Sequence, residues 1–326
     1  MNNPHPLVSV VMSVYNDSGY IRGSLNSIIE QTYPNLEIII INDGSDEKTS
    51  SILDEIQKFD SRIQLIHQNN HGLAYSLNRG IKEAAGEFIA RMDSDDISNK
   101  DRICRQVEFL IINKDVVAVG SNATVIDKDG EYVYTTNKPL TWKQIKDKLP
   151  QSPLIHPSVM FRRKEAVDVG GYPIVPISQD LFFFNKLVEK GKFANLKEPL
   201  LEYRMHPKSL SRKSRDIKRI VFKLLDRFLK SEKMDEELLK QLQARLDAEK
   251  DNKEYFYHLL LGKKYLWDNY SGNKSRFHFN KAIDSTKKIN EYFEPLILYL
   301  LSFLGKKNIY RFYKYFGENT PSKTKF

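Results

Sequence analysis

The chain has 326 residues, 40% of them hydrophobic and 29% charged, with a formal net charge of +9. That length suffices for a sizeable core, and the composition is that of an ordinary globular protein. No apolar run approaches the roughly 20 residues of a membrane-spanning helix, and the N-terminus lacks the basic and apolar segments of a signal peptide. The single cysteine, Cys104, excludes an internal disulfide framework. These features predict a cytoplasmic protein.

The positive charge is concentrated in the C-terminal part of the chain. From Lys208 onwards there are 27 basic and 15 acidic residues, a net charge of +12, whereas the preceding residues carry a net charge of −3. A basic tail suits nucleic acid or an anionic lipid surface. The chain has no zinc-finger spacing, aromatic RNA-reading motif or helix-turn-helix, so we expect no nucleic-acid partner. A solvated, lysine-rich helical face is the alternative.

Three apolar runs in the N-terminal part each end in polar or acidic residues, and the first two are largely β-branched. Such runs are typical of parallel strands that are covered on both faces. Helical spacing between the first two runs, over residues 20–30, predicts a βαβ unit. The runs are residues 7–14, followed by Tyr15, Asn16 and Asp17; residues 36–41, followed by Asn42, Asp43 and Gly44; and residues 88–92, followed by Asp93, Ser94, Asp95 and Asp96.

Two more helices and another strand are predicted between the second and third runs. A helix capped by Ser45 or Asp46 is expected to continue to about residue 59. Residues 63–66 are predicted as a strand and residues 73–85 as a helix. This alternation of strands and helices predicts an α/β fold.

The carboxyl ends of the strands are the expected ligand site of such a sheet. Tyr15, Asn16, Asp43, Asp93 and Asp95 should therefore meet in one crevice. Carboxylate oxygens are hard ligands that suit Mg²⁺ or Mn²⁺, and such a cation neutralises a pyrophosphate leaving group. For any one of these residues the alternative is an ordinary turn or helix cap, as in many Asp-x-Asp sequences.

The second half of the chain changes from mixed to helical patterning. Residues 116–125 begin a strand pair with a turn near Asp129, and residues 181–189 have helical spacing. The polar and basic residues 208–215 are predicted to form a linker. Amphipathic periods then predict helices over residues 217–229, 236–246, 254–267, 277–289 and 293–304, followed by a basic and aromatic segment, residues 306–315.

The chain resembles the family 2 inverting glycosyltransferases, which have a GT-A fold. The resemblance rests on short motifs that occur in family order over about the first two thirds of the chain. They are residues 10–16 (VVMSVYN), 41–45 (INDGS), 70–73 (NHGL) with 77–80 (LNRG), 89–96 (IARMDSDD), 156–158 (HPS), 170–172 (GGY), 179–181 (QDL) and 203–206 (YRMH). One departure is Leu77, where many members carry Arg. The form is similar to bacterial enzymes that build capsule, exopolysaccharide or O-antigen chains.

The resemblance implies a fold and a domain organisation. We expect an α/β protein with a GT-A type, mainly parallel sheet and flanking helices, whose first half is a Rossmann-like nucleotide-binding half. Residues 1–213 are expected to form the catalytic domain, with a nucleotide-sugar half at 1–110 and an acceptor half at 111–213. An α-helical C-terminal region, residues 214–326, is expected to dock to a membrane or a partner.

The resemblance also assigns a divalent metal, Mn²⁺ or Mg²⁺, to the acidic segment. Asp93 is expected to contact the ribose of the donor and to share the metal with Asp95. His206 matches a late histidine that serves as a third metal ligand, and imidazole shifts the preference toward Mn²⁺. For Asp96 we expect the role of a helix cap, and the alternative is a residue that supports the metal ligands without binding the metal.

Besides Asp93, five further residues are expected to bind the nucleotide sugar. By the resemblance, Asp43 binds the base or the ribose and Tyr15 flanks the base, while Asn16 fixes the loop. Asn78 and Arg79 follow the turn at residue 72 and are expected to approach the donor.

Asp180 matches the general base of the family. An acceptor hydroxyl is a poor nucleophile, so a carboxylate within hydrogen-bond reach takes its proton as attack proceeds. One displacement of this kind inverts the anomeric centre without an enzymic nucleophile. The alternative is that Asp180 serves only as a helix N-cap. His156 is expected near the acceptor or as a structural residue before Pro157.

The implied activity is that of a metal-dependent inverting glycosyltransferase of the hexosyltransferase class. It moves a sugar from a nucleoside-diphosphate sugar, expected to be a UDP-sugar, to a hydroxyl of a glycan or a polyprenyl-diphosphate-linked oligosaccharide in surface polysaccharide biosynthesis. We expect a cytoplasmic protein, peripheral at the inner face of the cell membrane. Residues 293–315 combine an apolar run that is too short to span with basic residues, which predicts in-plane contact with an anionic membrane surface. The alternative is that this helix packs on the catalytic domain.

Two other functions compete with glycosyl transfer. A nucleotidyltransferase also uses a metal and carboxylates, but it needs a glycine-rich phosphate loop with Lys or Arg, which residues 13–16 do not provide. A non-catalytic nucleotide-sugar-binding module is disfavoured by the presence of Asp93, Asp95, Asp180 and His206. The absence of G-x-G-x-x-G and G-x-x-x-x-G-K-[ST] sequences excludes a Rossmann dehydrogenase and a P-loop enzyme.

Overall fold

The structure is a computed structural model that describes residues 5–151, 153–207, 215–248, 253–286, 288–305 and 308. Within these residues the chain forms two compact units. The first contains residues 5–124, 135–204 and 215–243, and the second contains residues 125–134, 205–207 and the described residues from 244 onwards. Compactness alone does not define a domain, so the domain boundary predicted at residue 213 stays a prediction.

One mixed sheet is the framework of the fold. Its strands are β1 (Val8–Val14), β2 (Leu36–Asp43), β3 (Ile63–Gln68), β4 (Phe88–Asp93), β5 (Ile97–Ser98), β6 (Val116–Ile126), β7 (Tyr132–Thr135), β8 (Met160–Arg162) and β9 (Lys192–Arg204). The spatial order is β3-β2-β1-β4-β8-β6-β9-β5, and β7 pairs with β6. The first four strands in this order are parallel, whereas β8 pairs antiparallel with both β4 and β6 and β5 pairs antiparallel with β9.

The parallel strands are nearly continuous apolar runs because both of their faces are covered. Successive side chains point to opposite faces, so Val10 and Val11 belong to different cores. Val10 packs in the core that contains Leu25, and Val11 packs in the core that contains Leu77. Leu77 therefore fills the core, where many family members carry Arg.

The helices that begin before residue 244 belong to the first unit, except for residues 244–248 at the end of the last of them, which belong to the second. They are α1 (Ile21–Ile29), α2 (Glu47–Gln57), α3 (Leu73–Glu83), α4 (Arg102–Ile112), α5 (Trp142–Lys146), α6 (Arg163–Asp168), α7 (Gln179–Leu187), α8 (Arg215–Ser231) and α9 (Glu236–Ala248). Asp46 is the N-cap of α2 and accepts a hydrogen bond of 2.8 Å from the backbone N–H of Thr49, which confirms one of the two predicted caps.

Three further helices belong to the second unit: α10 (Lys253–Trp267), α11 (Gly272–Asp284) and α12 (Ile289–Leu301). A methyl group on Gly262 would lie 2.4 Å from the ring of Phe279, so glycine is what lets α10 and α11 approach closely. The predicted bounds of α11, residues 277–289, are wrong. The helix ends at Asp284 because the Thr286 hydroxyl bonds to Glu291 and to the backbone N–H of Lys288 and turns the chain.

Within the described residues, no helix is long and apolar enough to cross a membrane. The predicted linker at 208–215 lies outside the described residues except for residue 215. The predicted basic segment at 306–315 likewise lies outside them except for residue 308.

Candidate functional site

Three carboxylates lie together where β4 ends. Asp93 is the last residue of β4, and ligand atoms of Asp93, Asp95 and Asp96 lie within 4.8 Å of one another. Asp93 and Asp95 are partly exposed, whereas Asp96 is fully buried. Asp93 is in register with Ser13 near the end of β1, so the cluster lies at the carboxyl edge of the parallel strands. We call these three residues the acid cluster.

Asp96 is not a helix cap, which corrects the expectation from the sequence. Helix α4 begins at Arg102 with Asp101 as its N-cap residue. Asp96 Oδ1 instead accepts a hydrogen bond of 2.8 Å from the backbone N–H of Arg204, and its buried Oδ2 has no hydrogen-bond partner within the described chain. Burial, followed by the charges of Asp95 and Asp93, raises the pKa of Asp96 well above its usual range.

Side chains from two other elements fix the backbone of the acid cluster. The Ser24 hydroxyl of α1 donates to the Asp93 carbonyl oxygen at 2.8 Å. Nε of Arg204, the last residue of β9, donates to the Asp95 carbonyl oxygen at 2.9 Å, and its guanidinium lies 4.6 Å from the ring centroid of Tyr20. The carboxylates are therefore presented by an ordered loop, as a metal or phosphate site requires.

Asp43, at the end of β2, holds the loop between β3 and α3. Its Oδ1 accepts hydrogen bonds from Gln68 Nε2 at 2.8 Å and from the His71 N–H at 2.9 Å, and its Oδ2 accepts one from the Gly72 N–H at 2.9 Å. The side chain is buried, so its observed role is to position this loop. The predicted contact of Asp43 with the base or ribose stays a prediction.

Tyr15 and Asn16 occupy the neighbouring strand end. Asn16 Oδ1 accepts a 2.7 Å hydrogen bond from the Asp46 N–H, and the Asn16 N–H donates to Ser45 Oγ at 3.1 Å. Asn16 thus fixes the loop after β2, as expected from the sequence. The Tyr15 ring is 55% exposed at this edge, and its predicted contact with a nucleotide base stays a prediction.

Asn78 and Arg79 of α3 link parts of the site. Asn78 Nδ2 donates to the Tyr172 carbonyl oxygen, and Asn78 Oδ1 accepts from the Tyr172 N–H, both at 2.7 Å. A methyl group on Gly171 would lie 2.4 Å from Asn78 Oδ1, so glycine is needed there. Arg79 Nη1 donates to Gln68 Oε1 at 2.8 Å. Direct contacts of Asn78 and Arg79 with a donor stay predictions.

Asp180 lies in the first turn of α7 and is not its N-cap. The N-cap is Ser178, whose φ of 59° starts the helix at Gln179. Burial raises the pKa of Asp180, while the backbone N–H groups of Leu181 and of Asp180 itself and the charge of Arg91 oppose that rise. A partly buried carboxylate with a raised pKa is suited to accept a proton near neutral pH.

His156 and Tyr172 form a hydrogen-bonded pair beside Asp180. His156 Nε2 lies 2.8 Å from the Tyr172 hydroxyl oxygen. Burial and the charge of Arg91 lower the pKa of His156 well below its usual range, and burial raises the pKa of Tyr172. Both side chains are therefore neutral near pH 7. This supports the structural role that was one of the two expectations for His156.

The acid cluster fits a divalent cation. Adjacent carboxylates repel one another unless a proton or a cation balances them, and the buried Asp96 Oδ2 is left without a hydrogen bond. A donor set of carboxylate oxygens suits Mg²⁺ or Mn²⁺. His206 follows β9 and belongs to the second compact unit, so its predicted role as a third ligand stays a prediction.

Sequence reasoning missed Arg91, Gln68 and the site role of Arg204. Arg91 is the one charged residue within the apolar run that precedes the acid cluster, and a charge inside a buried strand was a usable signal. Gln68 lies at the end of β3, two residues beyond its predicted end. The contacts of Arg204 with the cluster join residues distant in sequence and had no local signal.

Residues 9–171, half of the chain, match the sequence profile of glycosyl transferase family 2. The chain belongs to this family. The matched region contains the parallel strands, the acid cluster and the turn at Gly170 and Gly171. Because the family and the relatives below are glycosyltransferases, the nucleotidyltransferase alternative is set aside.

Similar bacterial proteins carry glycosyltransferase names. An uncharacterized glycosyltransferase of Haemophilus influenzae is 37% identical over 216 residues, which cover 62% of this chain and 66% of that protein, just under two thirds. A putative teichuronic acid biosynthesis glycosyltransferase of Bacillus subtilis is 31% identical over 219 residues, 65% of this chain and 84% of its own. An O-antigen biosynthesis glycosyltransferase of Escherichia coli is 30% identical over 208 residues, 62% of this chain and 81% of its own.

Solved structures share the fold. A mannosyltransferase from Pyrobaculum calidifontis, in complex with GDP-Man and Mn²⁺, has a TM-score of 0.52 at 17% identity, covering 95% of this chain and 84% of that chain. S. aureus TarS in complex with UDP-GlcNAc has a TM-score of 0.52 at 16% identity, covering 91% of this chain and 81% of that chain. At these identities the likeness concerns the fold alone, and the predicted fold class is confirmed.

Proposed function

We propose that this chain is a metal-dependent inverting glycosyltransferase that moves a sugar from a nucleoside-diphosphate sugar to a glycan hydroxyl. The observation that carries the proposal is the acid cluster at the end of β4, and it is supported by the carboxylate of Asp180, on which the charges of Arg91 and Asp93 act. The site therefore combines a place for a cation and diphosphate with a base for the acceptor. Both are needed for one-step sugar transfer.

Each acid has a separate task in this scheme. Asp93, Asp95 and Asp96 would hold Mn²⁺ or Mg²⁺, and we keep His206 as a proposed further ligand. When bound, the cation supplies Lewis-acid stabilisation of the departing diphosphate. Asp180 takes the proton of the acceptor hydroxyl as that oxygen attacks the anomeric carbon from the face opposite to the leaving group.

The donor that we propose is a UDP-sugar. Structures of the same fold contain UDP-GlcNAc or GDP-Man, which supports a nucleotide sugar as the ligand class. The loops fixed by Asn16 and Asp43 flank the strand ends where the base and ribose are proposed to bind. The names of the relatives support an acceptor in a surface polysaccharide such as teichuronic acid or O-antigen, free or linked to a polyprenyl diphosphate.

We also propose that α12 brings the enzyme to the cytoplasmic face of an anionic membrane. Five apolar side chains of α12 and its C-terminal end recur at helical spacing and are 46–62% exposed: Phe293, Leu296, Ile297, Leu300 and Phe303. The sequence that follows contains Lys306, Lys307, Arg311 and Lys314 and no acidic residue before Glu318. Apolar and basic groups in this arrangement complement an anionic lipid surface.

A donor screen tests the proposed activity. The purified chain is incubated with UDP-, GDP- and dTDP-sugars in Mn²⁺, in Mg²⁺ and in a chelator, and the release of nucleoside diphosphate is measured. We expect metal-dependent release from one class of donor, with UDP-sugars favoured, and none from Asp95→Ala. The proposal fails if no donor is turned over and calorimetry detects no binding of any nucleoside diphosphate with metal.

A further inference from the structure

Arg91 is a buried charge to which the proposed chemistry assigns no task. It lies in β4 on the same face as Asp93, and its side chain is only 2% exposed. Arg91 borders a small space whose other lining residues are apolar apart from the Tyr172 hydroxyl: Val11, Leu77, Ile81, Ile89, Phe161 and Tyr172. Burying a guanidinium in such surroundings has a large desolvation cost in free energy unless carboxylates compensate for the lost hydration.

The compensation comes from the acids of the site. Arg91 Nη1 lies 2.5 Å from Asp93 Oδ1. This is an ion pair without good hydrogen-bond alignment, and Arg91 Nε has no hydrogen-bond partner within the described chain. Burial alone would lower the pKa of Arg91, but Asp93, together with Tyr172 and Asp96, raises it above its ordinary value. Arg91 therefore remains a cation at all working pH values.

The charge of Arg91 also acts on Asp180, the proposed base. The charged and titratable groups that influence Asp180 are Arg91 and Asp93 of β4, Lys138 of the segment before α5, and Tyr172. Burial lowers the pKa of Lys138, although the charge of Asp180 opposes this. Lys138 therefore loses its proton more readily than Arg91 does. Arg91 is thus the permanent positive charge that pairs with Asp93 and also acts electrostatically on Asp180.

We propose that Arg91 is a positioning residue that couples the two halves of the site, because it holds the Asp93 carboxylate and supplies the fixed positive charge opposite Asp180. This proposal rests on the proposed function, since it gives Asp180 the role of base. Without Arg91, Asp93 loses its anchor, and no permanent positive charge balances the repulsion between Asp93 and Asp180. Asp180 then keeps its proton to higher pH, and fewer molecules carry an active base.

The test compares Arg91→Met, which removes the charge, with Arg91→Lys, which keeps it. In Arg91→Met we expect UDP–Mn²⁺ affinity to fall at least about tenfold and kcat to fall about a hundredfold, the scale of lost base catalysis. The acid limb of the kcat profile should move to higher pH by about one unit, because an opposite charge nearby favours the ionised acid. Arg91→Lys should restore most of the limb position.

Arg162→Met is the matched control for the loss of a largely buried arginine. Arg162 lies in β8 and donates to the carbonyl oxygens of Leu110 at 2.7 Å and Val116 at 3.0 Å, and it belongs to neither half of the site. The variant Arg162→Met should lower Tm without moving the acid limb of the kcat profile. If Arg91→Met does the same and leaves UDP–Mn²⁺ affinity unchanged, Arg91 is a structural residue and the proposal is overturned.

A second comparison tests the coupling between Arg91 and Asp93 if Arg91→Met does not fold. The double variant Arg91→Met, Asp93→Asn leaves neither charge buried alone, so it should have a higher Tm than Arg91→Met or should fold where the single variant does not. An equal or lower Tm overturns the coupling. The Tm comparison needs no sugar transfer, so it tests the pairing of Arg91 with Asp93 even if the donor screen refutes the proposed activity.

Discussion

The three aspartates of the acid cluster differ in what surrounds each carboxylate. Asp93 forms an ion pair with Arg91. Asp96 is fully buried and accepts a hydrogen bond from the backbone N–H of Arg204, whereas Asp95 is partly exposed. Of the three, Asp95 is therefore the most direct candidate for a metal ligand that also borders solvent. The burial of Asp96 makes it a supporting ligand whose substitution would also disturb the loop.

Asp95→Ala is expected to remove metal-dependent binding of nucleoside diphosphate, because the diphosphate loses its counter-charge. Calorimetry with UDP and Mn²⁺ should show at least about a tenfold loss of affinity, comparable to loss of a group that supports a metal. Asp93→Ala should behave alike, while Asp129→Ala, in an exposed turn, should bind as the unchanged protein does. Unchanged metal-dependent affinity in Asp95→Ala would remove Asp95 from the metal site.

Asp180→Asn is expected to keep donor affinity and to lose at least about a hundredfold in transfer rate, since Asn preserves size but has no basicity. Because burial raises the pKa of Asp180, the unchanged enzyme should lose activity as pH falls through a value above that of an ordinary aspartate. Initial rates at saturating donor between pH 5 and 8 measure both effects. A variant that transfers sugar at nearly the original rate shows that the base lies elsewhere.

At the scale of residues, the sequence singled out acids from their local pattern, and the roles of these acids stay predictions. Asp93, Asp95 and Asp180 stand in short patterns whose chemistry can be read locally. The misassignment of Asp96 had a physical reason, since the Arg204 backbone that binds it is remote in sequence. Arg91 escaped notice for a similar reason, because its pairing depends on the fold.

At the scale of elements, long apolar runs were predictable and short strands were not. The bounds of β1 and β2 follow from nearly continuous β-branched sequence, which is typical of a doubly covered strand. The two residues of β5 and the three of β8 carry no period of their own. Their places are set by pairing with β9 and with β4 and β6, and this pairing makes the second half of the sheet antiparallel.

The hairpin of α10 and α11 contains a buried histidine pair that no sequence pattern revealed. Nδ1 of His258 lies 2.8 Å from Nδ1 of His278, a distance that leaves room for one shared proton. Tyr265 stacks on His278 and donates its hydroxyl to Asp127 Oδ2 at 3.1 Å. Burial, followed by the charge of His258, lowers the pKa of His278 to about 4.

Acidification from pH 7 to pH 5 is therefore expected to loosen α10 and α11. The pKa of His278 is lower in the folded than in the unfolded chain, so the unfolded chain takes up the proton first. The stabilisation is complete above pH 6.5 and is lost as pH falls from 6.5 towards 4, by up to about 3 kcal/mol in total. Hydrogen exchange of the α10 and α11 amides at the two pH values, corrected for intrinsic rates, measures it.

His278→Gln is the informative variant for this prediction, since an amide still hydrogen-bonds but does not titrate. Its α10 and α11 amides should show little dependence on pH. His67→Gln, at a half-exposed histidine of β3, should leave the pH dependence intact. Equal protection at pH 7 and pH 5 in the unchanged protein would show that the pair does not govern this hairpin.

At the scale of the whole molecule, charge and apolar exposure are both unevenly distributed. The residues before Lys208 carry a net charge of −3 and the remainder +12, and the exposed apolar face of α12 lies within that basic part. An acceptor anchored in a membrane would need the enzyme at the lipid surface, and a basic, apolar C-terminal part provides the corresponding attraction. Each basic residue near such a surface contributes about 1 kcal/mol, so a few of them suffice for reversible binding.

The full chain is accordingly expected to float with anionic vesicles at low salt, to bind neutral vesicles poorly, and to dissociate as salt screens the lysines and arginines. Replacing Leu296 and Leu300 together by Ser should reduce flotation at least about tenfold, because both side chains lie on the exposed face of α12. Ile112→Ser, at a 78% exposed residue of α4, is the matched control and should bind as the unchanged chain does.

Sedimentation of the same proteins without lipid tests the main alternative, which is that the apolar face of α12 joins two copies of the chain. In that case the unchanged chain dimerises and the double variant does not. No flotation at low salt, with or without dimerisation, would show that the apolar face of α12 does not bind lipid.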